Sequence, residues 1–404
     1  MTVRRTVLSL MSRVSLAVAV SAVVVGAGGC EKKDPKGGGA GGASEVRVGH
    51  YASMTGPEAT FGRSTDEGIR LAIKEINDAG GVKVGETTRR VTLVTDDTES
   101  QSTKAGDVVR KLIDVNKVHA VLGEVASSIS LEGAPVCQEA GIPMITPSST
   151  NTRVTERGDY IFRVCFIDPF QGFAGAKFAV DELKVKKVAL LVDTASAYSQ
   201  QLADEFAKAF VGMGGEVVSR VEYQKGEKEF NARLTKIREA SPEAIYLPGY
   251  YTDIANIAIQ ARQLGIRVPI IGGDGWDSEE LAKNAGDAIE NCFYTNHYAP
   301  DDPSPEIQEF VRAYRAAYNG KTPDGLAALG YDAARVLIAA LERAGTTDGS
   351  ALRDAIAATK DFPGVTGRIT LDRNRNAVKP IVVLERKGGA WIFRAKIEDP
   401  SAGR

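Results

Sequence analysis

Short apolar runs and stretches of helical period alternate along this chain from Val46 onward. Val46 to Tyr51 reads as a strand, and the turn MTGPEATFG (Met54 to Gly62) follows it. Ile69, Ala72, Ile73 and Ile76 then recur at the spacing of one helix face, which predicts a helix from Arg63 to Ala79 ended by Gly80-Gly81. Strand Val91 to Thr95, helix Ser102 to Asn116, strand Val118 to Leu122, helix Ser128 to Ala140 and strand Pro143 to Thr146 continue the series. Such alternation predicts a parallel, doubly wound sheet.

From Asp168 the alternation restarts with a helix, strand Lys187 to Val192, helix Gln200 to Met213 and strand Glu216 to Tyr223. Helix Asn231 to Ala240, strand Ala244 to Leu247, helix Asp253 to Leu264 and strand Pro269 to Ile271 follow. Leu202, Phe206 and Phe210 give the second of these helices an apolar stripe. A second sheet implies a second lobe. After strand Cys292 to Asn296 come helical segments Glu306 to Asn319 and Gly325 to Ala344 and a short helix from Ser350. Paired strands near Ile381 to Glu385 and Trp391 to Lys396 close the series, joined at Gly388-Gly389.

Length agrees with two lobes, because 404 residues exceed what one hydrophobic core usually supports. A net charge of -2 gives no basic field for nucleic acid. The first 29 residues read as a signal peptide: Arg4, Arg5 and Arg13 precede an apolar run, Val14 to Val25, about half of the ~20 residues a membrane span needs. Ala27, Gly28 and Gly29 lead into Cys30 in a way that resembles a lipobox, so Cys30 is the expected lipidation site; an ordinary cleaved signal with an incidental Cys is the alternative. Residues 30–45 carry Gly and Lys without a large apolar side chain and are expected to form a flexible tether. A lipid anchor is therefore the expected membrane attachment.

Cys137, Cys165 and Cys292 are an odd set without metal-site spacing, and buried free thiols are expected. The three histidines, His50, His119 and His297, form no HExxH pattern, no GxSxG elbow occurs, and Gly320-Lys321-Thr322 lacks the preceding Gly at the spacing a phosphate loop requires, so it reads as a turn. Neither an enzyme nor a cofactor or metal protein is expected.

The stretch GEVASSISLEGAPVCQEAGIPMITPSST, Gly123 to Thr150, holds the candidate chemistry. Both of its polar turns follow strands, and in a parallel sheet the carboxyl ends of strands form the ligand crevice. Hydroxyls at Ser127, Ser128, Ser148, Ser149 and Thr150, beside a helix start, suit a small carboxylate. The alternative for each is helix capping, which Ser and Thr favour whatever the function.

The same residues carry a resemblance. GEVASSIS followed by GIPMITPSSTNTRVTERG resembles the paired ligand loops of the periplasmic branched-chain amino acid (Leu/Ile/Val) binding proteins, the soluble receptors of an ABC importer family. MTGPEATFG, Tyr198, LPGYYTD (Leu247 to Asp253), GGDGWD (Gly272 to Asp277) and LGYDAA (Leu329 to Ala334) match in the same order, so the likeness covers nearly all of the chain after residue 44. It implies a type I periplasmic binding protein fold, α/β with two doubly wound parallel-sheet lobes joined by a three-crossing hinge. The lobes would be 46–166 plus 297–375 and 167–296 plus 376–398, crossing near residues 166, 297 and 375. It also implies a monomer that presents its ligand to a membrane ABC permease.

For the site, the resemblance points to the Ser127 hydroxyl and the N-H and hydroxyl of Thr150 for a ligand carboxylate. The Ser148 carbonyl and Asp274 would take the ammonium, Asp274 standing where relatives usually have Glu. A turn Asp beside Gly275 is the alternative for Asp274. Phe61, Tyr198, Tyr250, Trp276 and Tyr331 are candidates for an apolar sleeve around the ligand side chain, and each also fits a place in the core. Some relatives bear a disulfide beside the ligand loop; Glu99 and Ala126 occupy those positions here. Amide, urea and receptor modules share this fold, so such a ligand or a sensing role is the alternative function.

Overall fold

The computed structural model describes residues 45–400. The expected signal peptide, the Cys30 lipidation site and all but Glu45 of the expected tether lie outside the described residues.

From β1 (Val46–Ala52) the chain enters α1 (Ala59–Asp78) and turns through a hairpin of β2 (Val82–Val84) and β3 (Thr87–Arg89). It continues as β4 (Val91–Asp97), α2 (Ser102–Asp114), β5 (Ala120–Leu122), α3 (Ser127–Ala140), β6 (Met144–Thr146) and β7 (Ile161–Arg163). These build a five-stranded sheet in the order β4-β1-β5-β6-β7, parallel throughout. β1 sits between neighbours on both sides, with Gly49 opposite Val94 of β4 and Val121 of β5.

The chain then runs α4 (Asp168–Asp181), β8 (Lys187–Asp193), α5 (Ala197–Gly212), β9 (Glu216–Tyr223), α6 (Asn231–Glu239), β10 (Ala244–Tyr246), α7 (Tyr251–Gln263), β11 (Ile270–Gly272), α8 (Glu279–Ala285) and β12 (Cys292–Asn296). Helices α9 (Pro305–Ala317), α10 (Gly325–Ala344) and α11 (Gly349–Ala357) follow. A small sheet of β13 (Phe362–Gly364), β14 (Gly367–Leu371) and β15 (Ala377–Val378) precedes the hairpin β16 (Ile381–Lys387) and β17 (Ala390–Ile397). The second large sheet has seven strands in the order β17-β16-β12-β11-β10-β8-β9. Its strands from β12 to β9 are parallel and β16 and β17 add antiparallel at one edge. Two doubly wound sheets are therefore present, as the alternation predicts.

Late helices pack on the first sheet's side. A Cβ at Gly68 of α1 would lie 1.9 Å from the Ala327 carbonyl oxygen of α10, so only glycine allows the two backbones this close. Tyr318 in turn donates to the Glu67 carbonyl of α1 at 2.7 Å.

Several elements differ from the pattern. α1 begins at Ala59 rather than Arg63, which moves Phe61 from a turn onto a helix. The β2-β3 hairpin, β7, α8 and the β13 to β15 sheet have no apolar run long enough to announce them. β7 is three residues with Arg163 inside it, and β13 reads Phe-Pro-Gly, a sequence that ordinarily argues against a strand. Cys137, Cys165 and Cys292 are buried free thiols, as expected. Among the described residues no helix is long and apolar enough to cross a membrane.

Candidate ligand-binding site

The carboxyl ends of strands in both sheets converge on a small pocket with about 10 Å³ of room for water. Ser127 and Val125 reach it from the turn after β5 and Ser148 from the turn after β6. Tyr250, Asp274 and Gly275 reach it from the turns after β10 and β11, and Tyr198 from the first turn of α5. Phe61 of α1 and Leu326 of α10 complete the wall.

The two serine-bearing turns are held from behind. The Glu124 carbonyl accepts from Ser130 Oγ at 3.1 Å, Thr146 Oγ1 at 2.6 Å and Ser149 Oγ at 2.9 Å. Its carboxylate accepts from Ser53 Oγ at 2.5 Å and the Ala126 N-H at 2.6 Å, and burial pushes its pKa up to about 7. Arg163, fully buried, donates to the carbonyls of Ser149 and Asn151 and to Thr155 Oγ1 and Asn376 Oδ1. A buried cation without a direct carboxylate partner among the described residues thus stands behind the second turn.

In front, no side chain caps α3, whose helix dipole favours negative charge at Ser127. Ser148 Oγ is buried with no hydrogen-bond partner among the described residues, and the buried Thr150 hydroxyl lies toward the Asp168 carboxyl. Ser127 Oγ accepts from the Asn151 N-H at 3.3 Å, which leaves its own proton free to donate.

On the facing side, Asp274 is 5% exposed and receives hydrogen bonds on both oxygens. Gln171 Nε2 donates to Oδ1 at 2.9 Å and His297 Nε2 lies 3.0 Å from Oδ2. Burial pushes the His297 imidazole down to about 4, so both partners are neutral at pH 7. Asp168, at the start of α4, is fully buried, and burial pushes its carboxyl well above the usual range, opposed by a hydrogen bond with the Thr150 side chain and reinforced by repulsion from Asp274.

Aromatic rings shape the rest. Tyr198 and Tyr250 stack at 5.3 Å between centroids, and Phe61 meets Tyr250 edge to face at 5.7 Å. The Tyr198 hydroxyl accepts from the Gly275 N-H at 3.2 Å.

Of the sequence candidates, Phe61, Ser127, Ser148, Tyr198, Tyr250 and Asp274 come together around the cavity. Thr150 is buried beside it without lining it. Two others are not brought to the wall. The Trp276 indole turns inward and donates to the Leu247 carbonyl at 3.1 Å, its ring packed over Gly272. Tyr331 donates to Glu75 Oε2 at 2.6 Å and its ring packs on Phe310, because this part of α10 faces α1 and α9. Sequence reasoning missed Val125, Leu326, Gln171, Arg163 and His297. For His297 a signal existed: it follows directly on an apolar strand, at the sheet edge where ligands gather.

Contacts across the cleft are made. Asn151 Nδ2 donates to the Ala197 carbonyl at 2.8 Å, the Ala197 N-H to Ser128 Oγ at 3.0 Å, and the Gly325 N-H to Asp277 Oδ2 at 2.6 Å. The turns of the two sheets are closed on each other.

A family model described as periplasmic binding protein matches residues 45–390. The chain belongs to this family. A Leu/Ile/Val-binding protein homolog 2 of Brucella abortus (strain 2308) is 32% identical over 349 residues, 85% of this chain and 91% of that one. A leucine binding protein, LivK, of Thermotoga maritima superposes with a TM-score of 0.83 at 42% identity, covering 87% of this chain and 99% of its own. An ABC transporter solute binding protein of R. palustris, solved with benzoate, superposes with a TM-score of 0.78 at 25% identity, covering 89% and 99%. The family is one of extracytoplasmic binding proteins, and its members named here differ in what they hold.

Proposed function

We propose that this protein captures a branched-chain aliphatic amino acid between its two lobes and delivers it to an ABC importer. The observation that carries the reading is Asp274. It is a nearly buried carboxylate whose two partners, Gln171 and His297, are neutral, and burying such a charge calls for a cation. A ligand ammonium supplies that cation. On the opposite wall, the Ser127 hydroxyl and the positive end of α3 suit the ligand carboxylate, with the Thr150 hydroxyl behind that wall a further donor if the site opens, and the Ser148 carbonyl adds an acceptor for the ammonium. Phe61, Val125, Tyr250 and Leu326 offer an uncharged sleeve, which selects aliphatic side chains. One methylene is worth only about 0.8 kcal/mol, so Leu, Ile and Val should be distinguished modestly.

In this account the lobes are residues 46–166 plus 297–375 and 167–296 plus 376–398, and ligand stabilises their closure. The closed form is what the permease would recognise, with the protein exported and anchored through lipidated Cys30. An aromatic acid of the benzoate type lacks the ammonium, and its carboxylate would gain nothing from Asp274. A thermal-shift screen of Leu, Ile, Val, Phe, short amides, urea and benzoate tests the reading. Stabilisation by the aliphatic amino acids supports it; stabilisation by an amide or benzoate alone would overturn the ligand class.

A further inference from the structure

Asp274 is held by two residues that do not line the cavity. Gln171 of α4 donates through Nε2 to Asp274 Oδ1 and to Thr295 Oγ1, both at 2.9 Å. His297 presents Nε2 to Oδ2 at 3.0 Å, and its side chain is fully buried. The His297 ring stacks on Phe166, with centroids 3.8 Å apart and planes 15° from parallel.

The position of that stack matters. Phe166 lies between β7 of the five-stranded sheet and α4, which packs with the seven-stranded one; His297 lies between β12 of the seven-stranded sheet and α9, whose Tyr314 hydroxyl reaches Glu67 of α1. The ring therefore sits where two passages of the chain between the sheets run side by side, the kind of segment that absorbs rotation when lobes close.

Building on the proposed role of Asp274, we propose that His297 is a positioning residue for ligand recognition: its Nε2-H aims the Asp274 carboxylate at the ligand ammonium and ties that aim to the arrangement of the two passages. A carboxylate only accepts, so a neutral ring bonded to it must carry its proton on Nε2. Nδ1 is buried with no hydrogen-bond partner among the described residues, so no second hydrogen bond there pulls the ring away. Gln171 and His297 together engage each oxygen of Asp274 once, which leaves further lone pairs for an ammonium. A histidine that only fills space would serve every ligand equally; one that aims a carboxylate serves the amine alone.

The test uses the full chain and four forms: natural, His297→Leu, His297→Gln and Asp274→Asn. Each is titrated calorimetrically with leucine and with 4-methylpentanoate, which is leucine without its amine. His297→Leu should weaken leucine by about ten- to a hundredfold and leave 4-methylpentanoate unchanged, the loss expected for one hydrogen bond to a charged group. Gln at 297 should restore most of the leucine affinity, since its amide can donate to the same oxygen. An equal loss for both ligands, no loss in His297→Leu, or no recovery in His297→Gln overturns the positioning role. Leucine binding untouched in Asp274→Asn removes the ammonium role of Asp274 and the proposal with it. Loss in Asp274→Asn without loss in His297→Leu overturns His297 alone. Independently of any ligand, ¹⁵N spectra of the natural protein at neutral pH should give the Nε2-protonated tautomer at His297; the Nδ1-protonated tautomer would overturn the geometry outright.

Discussion

Arg163 Nη2 donates to the carbonyl of Asn151 at 2.8 Å from inside the protein, so the turn that bears Ser148 and Thr150 is pinned by a buried guanidinium. The same group also serves the Ser149 carbonyl, Thr155 Oγ1 and Asn376 Oδ1. Methionine at 163 would keep much of the stem but leave these acceptors unpaired. Arg163→Met is expected to cost roughly 2 to 5 kcal/mol in urea unfolding and to weaken leucine binding. An unchanged midpoint would contradict the pinning role.

Burial raises the Glu124 carboxyl from 4.5 to about 7 in the folded protein, so the folded state keeps a proton that the unfolded chain releases. That contribution is full below about pH 4.5 and is lost as pH rises through 7, an effect of about 3 kcal/mol. Gln at 124 carries no such charge and retains a carbonyl for the Ala126 N-H. The stability of Glu124→Gln relative to the natural protein should therefore improve between about pH 5 and 8. A difference independent of pH would argue that Glu124 ionises freely in the fold.

Cleft closure has its own ion pair. Lys225, after β9, places Nζ 2.5 Å from Oε1 of Glu58, just before α1, and the Glu58 side chain is almost wholly buried. Lys225→Ala leaves that carboxylate without its cation in the closed form only. Leucine affinity should fall by about 1 kcal/mol, the modest size reflecting the partial exposure of Lys225. Stopped-flow measurements should find the loss mainly in the dissociation rate. A loss confined to association would argue against a latch.

The elements that the sequence disclosed are those whose burial repeats along the chain. Leu202, Phe206 and Phe210 are wholly buried on one side of α5, and a period of that kind survives any tertiary context. The serine turns were legible because they follow apolar strands. Trp276 and Tyr331 went astray for a shared reason: an aromatic residue inside a matching motif gives no sign of which way its ring points. Trp276 needs a buried acceptor for its indole N-H and finds one at Leu247, away from the cavity. Arg163 and Gln171 were hidden because their partners lie in other elements, at Asn376 and Thr295, and only the folded chain joins them.

For Asp274 the expected consequence is large. Asp274→Ala removes the facing carboxylate and would leave a ligand ammonium buried and unpaired, so leucine binding should weaken by roughly 2 to 5 kcal/mol. Calorimetry giving less than about a tenfold loss would take Asp274 out of the site.

The two lobes are proposed to clamp a zwitterion, and the decisive test is a crystal structure of the full chain grown with leucine. Leucine is expected in the cavity between the sheets, its ammonium within hydrogen-bond distance of Asp274 and its carboxylate at Ser127 and Thr150. Leucine absent from that cavity, or bound with its carboxylate toward Asp274, would contradict it.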